Sequence, residues 1–227
     1  MLTIPACCWL CQMPLRLPQH GICSVCLEAL PVPPSVCPRC GLPASKRNVP
    51  CGRCQRHPPP WQRMILVSDY CEPLRNQVHQ LKFSQGTARA VMLARLILLT
   101  WLALRRQYVL PRPDLMLTVP LHHRRAFKRG YNQLAPLARQ LSYWSRIPWQ
   151  PEALIRWRAG KIQHHLSASA RRLNIRGAFR LETNVSGLHI VLLDDVVTTG
   201  STVAELSRLL MRAGAASVDI WCLCRTL

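Results

Sequence analysis

Acidic side chains are scarce in this sequence: ten Asp and Glu residues face thirty Lys and Arg, a net charge of +20 over 227 residues. Lysine is scarce as well, because 26 of the thirty basic residues are arginine. A field of that sign concentrates anions at the surface, so nucleic acid, nucleotides, phosphorylated metabolites and anionic lipid are the natural partner classes. Arginine in place of lysine suits planar, bidentate phosphate contacts. The plain alternative is a basic surface that serves solubility. Long apolar runs are missing too. The most apolar stretch, Ala90 to Leu104, is broken by Arg95 and too short to span a bilayer, so it reads as a buried helix. No export signal opens the chain, since Met1-Leu-Thr-Ile-Pro-Ala has neither a basic start nor a continuous apolar core. These absences lead to the expectation of a cytoplasmic protein without a transmembrane segment, drawn by its charge toward the inner face of the membrane. A hydrophobic fraction of 49% and a mean hydropathy of +0.04 are those of a globular chain.

Cysteine, by contrast, is plentiful. Eight of the twelve cysteines form four Cys-x-x-Cys pairs: Cys8/Cys11, Cys23/Cys26, Cys37/Cys40 and Cys51/Cys54. Two residues between thiols let a tight turn aim both sulfurs at one ion, as tetrahedral zinc requires. The segment also repeats itself. Cys8-Trp-Leu-Cys11-Gln-Met-Pro14 and the following Cys23-Ser-Val-Cys26 are echoed by Cys37-Pro-Arg-Cys40-Gly-Leu-Pro43 and Cys51-Gly-Arg-Cys54. The simplest expectation is two zinc-ribbon units of four thiolates, each holding one structural zinc ion. First pair groups with second and third with fourth, although spacing alone leaves an interleaved grouping open, and redox dithiols are the rival chemistry. A proline-rich segment this short buries little core, so metal binding would supply much of its folding free energy, on the order of 10 kcal/mol per site. Cys7 adjoins a ligand and competes with Cys8, while Cys71, Cys222 and Cys224 read as small buried apolar residues. The basic residues here (Arg16, Arg39, Lys46, Arg47, Arg53 and Arg56) are scattered and lean only slightly toward nucleic acid. His57-Pro-Pro-Pro60 is stiff and marks a boundary, dividing the chain into residues 1–58 and 59–227.

From Trp61 onward strand and helix patterns alternate. Met64–Val67, Asp114–Val119, His189–Leu193 and Ser217–Leu223 are strand candidates. Pro73–Phe83, Ala88–Arg106, Asn132–Trp144 with Asn132 as its cap, and Thr202–Arg212 closed by Gly214 are helix candidates. Alternation of this kind implies an α/β fold with a mostly parallel sheet, whose ligands bind beyond the carboxyl ends of the strands.

That rule leads to Val191-Leu-Leu-Asp194-Asp195-Val-Val-Thr198-Thr199-Gly200-Ser201-Thr202. An apolar strand ends in two acids, and a turn rich in hydroxyls then opens a helix. The turn offers backbone N–H groups, hydroxyls and a helix N-terminus to a phosphate, with Gly200 allowing close approach. The two carboxylates would repel phosphate, but they can accept hydrogen bonds from ribose hydroxyls and stand near a magnesium ion. The combination reads a sugar phosphate.

The run resembles the signature of type I phosphoribosyltransferases at every position of the motif. The resemblance implies that Asp194, Asp195, Thr198, Thr199, Gly200, Ser201 and Thr202 bind phosphoribosyl pyrophosphate, or a related sugar phosphate, with magnesium. Other residues narrow the likeness. Thr118-Val-Pro120-Leu121, then Arg124-Arg125 and Arg129-Gly-Tyr-Asn-Gln133, look like the ComF/GntX family. So do the double cysteine module, Leu81-Lys-Phe83, Gln163, Leu166-Ser167, Arg172 near Asn174, and Ala178-Phe179. Gly160 and Tyr131 depart from the family pattern. The family implies a double zinc-ribbon module ahead of a phosphoribosyltransferase-like domain, and a role in competence, DNA uptake and use of external DNA as nutrient. It also implies that the turn holding Pro120 and Leu121, with Arg124, Arg125 and Arg129, sits on the pyrophosphate side.

Arg156, Arg158, Lys161, Arg171, Arg172 and Arg176 form a second basic stretch, a nucleic-acid contact or a solvated face. His122, His123, His164 and His165 lack the spacing of metal ligands and read as surface or pocket residues. Purine-salvage relatives of the hypoxanthine type carry an aspartate where Thr198 stands, and no substitute base declares itself. Three readings follow: a ligand-binding protein of DNA uptake, an active phosphoribosyltransferase on a nucleobase-like acceptor, and a zinc-bearing nucleic-acid-binding adaptor with a vestigial pocket; single-stranded DNA is a candidate partner.

Overall fold

Four apolar segments pair side by side because each is buried on both faces and must satisfy its backbone through its neighbours. The computed structural model describes residues 6–31, 35–46, 48–83, 87–120, 132–157 and 177–226. Its strands are β1 (Arg63–Asp69), β2 (Leu115–Thr118), β3 (Leu154–Arg156), β4 (Phe179–Leu181), β5 (His189–Val197) and β6 (Ser217–Arg225). Its helices are α1 (Ser24–Glu28), α2 (Gly52–Arg56), α3 (Leu74–Phe83), α4 (Thr87–Tyr108), α5 (Leu134–Ser145) and α6 (Ser201–Arg212). The main sheet has the order β1-β6-β5-β2, and all of its pairings are parallel. Leu192 at its centre lies beside Leu117 on one side and Ile220 on the other.

Helices cover this sheet where their apolar stripes demand it. Helix α4 packs on β1, β6 and α5, while α5 also meets β2 and β5, and α6 packs on β5, β6 and β4. The core runs through Leu93, Ile97, Leu137, Leu141, Leu206 and Leu210. Trp101 of α4 meets Trp221 of β6 with ring centroids 5.1 Å apart. Among the described residues no helix is long and apolar enough to cross a membrane, and α4, which carries the Ala90–Leu104 run, is a core helix. Cys222 and Cys224 are buried in β6, whereas Cys71 is half-buried.

Several sequence boundaries shift. Helix α5 begins at Leu134, so its N-cap is Gln133 and not Asn132; Gln133 makes no side-chain cap, while Asn132 Oδ1, one residue earlier, accepts from Leu134 N at 3.0 Å. Strand β5 continues past Leu193 through both acids to Val197. The small antiparallel pair β3–β4 was not legible, because three-residue strands are too short to show a period.

The cysteine repeat is a structural repeat. Cys7 bridges to Pro14 and, at equivalent positions, Val36 bridges to Pro43. Cys8 N donates to Met13 O just as Cys37 N donates to Leu42 O, both at 2.8 Å. The residue after the second thiol is left-handed in both turns, Gln12 at φ 61° and Gly41 at φ 69°. Both ribbons dock on the α/β domain. Gly21 lies so close to α4 that a Cβ there would meet Met92 Cβ at 2.8 Å. Arg89 stacks over the Trp9 ring at 4.3 Å, and Arg95, the charge inside the apolar run, donates to Ile22 O. In the second ribbon Pro38 O accepts from Met64 N and Cys40 O accepts from Arg225 Nε.

Candidate functional site

Each ribbon gathers its own thiols. The sulfurs of Cys8, Cys11, Cys23 and Cys26 lie within 4.8 Å of one another, and so do those of Cys37, Cys40, Cys51 and Cys54. The first pair therefore groups with the second and the third with the fourth. Cys11 and Cys23 sulfurs are 3.8 Å apart, as are those of Cys40 and Cys51. Two thiolates bound tetrahedrally at about 2.3 Å stand about that far apart, so the donor sets fit structural zinc. Backbone N–H groups support the charged form: Cys23 N points at Cys8 Sγ and Cys51 N at Cys37 Sγ. Burial raises the Cys8 and Cys37 thiols, but the surrounding N–H donors outweigh it and bring them down to about 6 and about 7. Both groups can hold zinc.

The second candidate site lies where β5 ends and α6 begins. Strand side chains alternate between faces, and the two acids separate accordingly. Asp194 lines a cavity of about 180 Å³ together with Val196, Val197, Thr198, Thr199, Gly200, Ser201, Thr202 and Val203. Asp195 is not part of its wall. It is 6% exposed and turns toward α3 and α5, where Lys82 Nζ stands 3.3 Å from its Oδ1 and Gln133 Nε2 donates to its Oδ2 at 2.9 Å. Burial, reinforced by the neighbouring Asp195 charge, pushes Asp194 up to about 8. Asp194 Oδ1 accepts from Asp195 N at 2.9 Å.

The turn is shaped by Gly200, which sits at φ 75° where only glycine is unstrained. Thr199 Oγ1 and Ser201 Oγ are 2.8 Å apart, and Ser201 N donates to Thr199 Oγ1. Gly200 brings no side chain to cap α6, and no acid stands in its first turn. The positive end of a twelve-residue helix is thus left facing the cavity that Asp194 lines.

Of the other sequence candidates, Pro120 follows β2 and is half-buried. Leu121, Arg124, Arg125 and Arg129 lie outside the described residues, as do the four paired histidines and the basic positions from Arg158 to Arg176. The roles of Lys82 and Gln133 were not read from sequence, although both stood in quoted motifs. The available signal was chemical: a buried acid at the end of an apolar strand requires a cation and donors.

Residues 129–227 match the phosphoribosyl transferase domain family. DNA utilization protein YhgH of Salmonella typhi is 54% identical over all 227 residues, covering both chains completely. Competence protein F of Haemophilus influenzae is 34% identical over 221 residues, 96% of each chain. The chain belongs to the ComF family. Among solved structures, purine phosphoribosyltransferase from Pyrococcus horikoshii superposes with TM-score 0.34 at 16% identity, over 71% of this chain and 79% of that one. A superposition so partial adds nothing to the argument. This ComF chain thus combines two four-cysteine groups with a phosphoribosyltransferase-type domain.

Proposed function

We propose that the chain binds phosphoribosyl pyrophosphate with magnesium in the cavity at the end of β5, and that it serves DNA uptake and the use of external DNA. The carrying observation is that Asp194 shares one cavity with the Thr198–Thr202 turn and the start of α6, whose N-cap Gly200 brings no side chain. The 5-phosphate would take the N–H groups and hydroxyls of Thr199, Ser201 and Thr202. Asp194 would accept from a ribose hydroxyl, and its carboxylate with the ligand's own phosphates suits magnesium, which keeps few protein ligands. Asp195, paired with Lys82 and held by Gln133, would fix the strand end that carries Asp194. Pro120 and Leu121, with Arg124, Arg125 and Arg129, are assigned to the pyrophosphate.

Among the described residues Asp194 is the one acid lining this cavity, and Thr198 stands where purine-salvage relatives of the hypoxanthine type carry an aspartate, so we read the ligand as bound rather than turned over. The role in DNA use comes from the relatives, named DNA utilization protein and competence protein. Single-stranded DNA is the polyanion assigned to the +20 charge, which also draws the chain to the inner face of the membrane. The test is thermal unfolding with phosphoribosyl pyrophosphate and magnesium, for the parent and for Asp194→Asn with Asp195→Asn. The parent should be stabilised and the double variant should not. An equal response in both refutes the site. Pyrophosphate release with any of a panel of nucleobases would replace binding by catalysis.

A further inference from the structure

A second, larger cavity opens behind the same turn. It measures about 540 Å³ and is walled by the second ribbon, the proline run and α6, with Thr199, Gly200 and Ser201 as the partition from the Asp194 cavity. A volume of this size suits a small organic molecule rather than a lone ion. Its basic groups are Arg53 on α2, His57, and Arg208, Arg212 and Arg225. They are not equivalent. Arg225 is engaged by the carbonyls of Cys40, Val197 and Thr226, and Arg208 is paired at 3.3 Å with Glu205, the one acidic lining residue among the described residues. Arg53 and Arg212 are exposed and have no acidic partner among the described residues. The lining also carries an apolar group, Pro58, Pro59, Pro60 and Leu42.

A ligand complementary to these walls has a planar, weakly polar body and an anionic group. We propose that the cavity binds a nucleoside phosphate, with its base on the proline surface and its phosphate met by Arg53 and Arg212. The same chemistry is offered by a free mononucleotide and by the phosphorylated end of a single strand. The two cavities share Val197, Thr199, Gly200 and Ser201, but Arg53, Arg212 and the prolines line only the second, so variants of the arginines test this proposal apart from the reading of the first cavity.

Calorimetric titration of the full-length, zinc-loaded protein, without phosphoribosyl pyrophosphate, tests it. The probes are thymidine, inorganic phosphate, thymidine monophosphate and a 5′-phosphorylated thymidine tetranucleotide. The two phosphorylated nucleosides should bind and the other two should bind at least about tenfold more weakly, since each lacks one half of the recognition. Arg212→Ala, remote from the cysteines, should weaken binding about tenfold. Arg53→Ala should act alike with its zinc content unchanged, and Arg139→Ala, an exposed arginine of α5, should have no effect. Equal tetranucleotide and mononucleotide affinities identify a free nucleotide as the ligand, and a tighter tetranucleotide identifies a strand end. The proposal is overturned if no nucleotide binds, if phosphate alone binds as tightly, or if Arg139→Ala weakens binding as much as Arg212→Ala.

Discussion

Lys82 Nζ lies 3.3 Å from Asp195 Oδ1, and this contact ties the end of α3 to the strand that carries the candidate site. Removing one partner of a largely buried pair leaves the other uncompensated, at a cost of about 3 kcal/mol. Lys82→Met should therefore destabilise by that order in urea unfolding. Adding Asp195→Asn should return part of the loss, with a coupling of about 1–3 kcal/mol. Strictly additive effects would show that the pair is incidental.

Asp194 carries a pH dependence of definite sign. Its folded value, about 8, is raised from 3.8 by burial and then by Asp195. The folded state holds that proton more tightly, so the contribution to stability is complete below pH 3.8 and is lost as pH rises through 8. Asp194→Asn should gain on the parent across this window, by about 1–3 kcal/mol at pH 8. Unfolding curves at pH 5 and pH 8, without ligand, check it; a pH-independent difference would contradict the assignment.

The same ionisation must accompany ligand uptake if Asp194 accepts from a ribose hydroxyl beside magnesium. Affinity for phosphoribosyl pyrophosphate should rise with pH toward 8, and binding near pH 7 should release a proton. Calorimetry in two buffers of different ionisation enthalpy reads that proton directly.

Gly200→Ala should destabilise by about 1–2 kcal/mol, because a side chain at φ 75° is strained. Space is not the obstacle: an added Cβ would meet Trp61 at 3.6 Å, an ordinary contact. The turn's N–H groups would re-aim, so ligand-dependent stabilisation should fall by more than the fold's own loss.

The two four-cysteine groups should bind zinc separably. Cys11→Ser should lower bound zinc from two ions per chain to one, and Cys51→Ser should do the same through the other group. Loss of both ions from either single variant would mean that the ribbons fold as one unit.

Much of this architecture was written locally. Four Cys-x-x-Cys pairs announce thiolate clusters because the spacing is a property of one turn, and the strand–turn–helix at Asp194–Thr202 is contiguous in the chain. The alternation of apolar strands and amphipathic helices announced a parallel sheet for the same reason. Legibility failed where partners are distant or elements short. The β3–β4 pair joins three-residue strands, and nothing near Asp195 in sequence names Lys82 or Gln133 as its companions.

Residue order alone therefore determined the grouping of thiols into candidate metal sites, the fold class and the strand–turn–helix run that carries Asp194, since each depends on spacings of a few residues. Packing assigned everything that requires two remote segments to meet. It sent neighbouring Asp194 and Asp195 to different surroundings, because consecutive strand residues face opposite ways and only one face opens to the turn. It also brought residues of the second ribbon and of α6 to one cavity lined by arginines, which no single stretch of chain encodes.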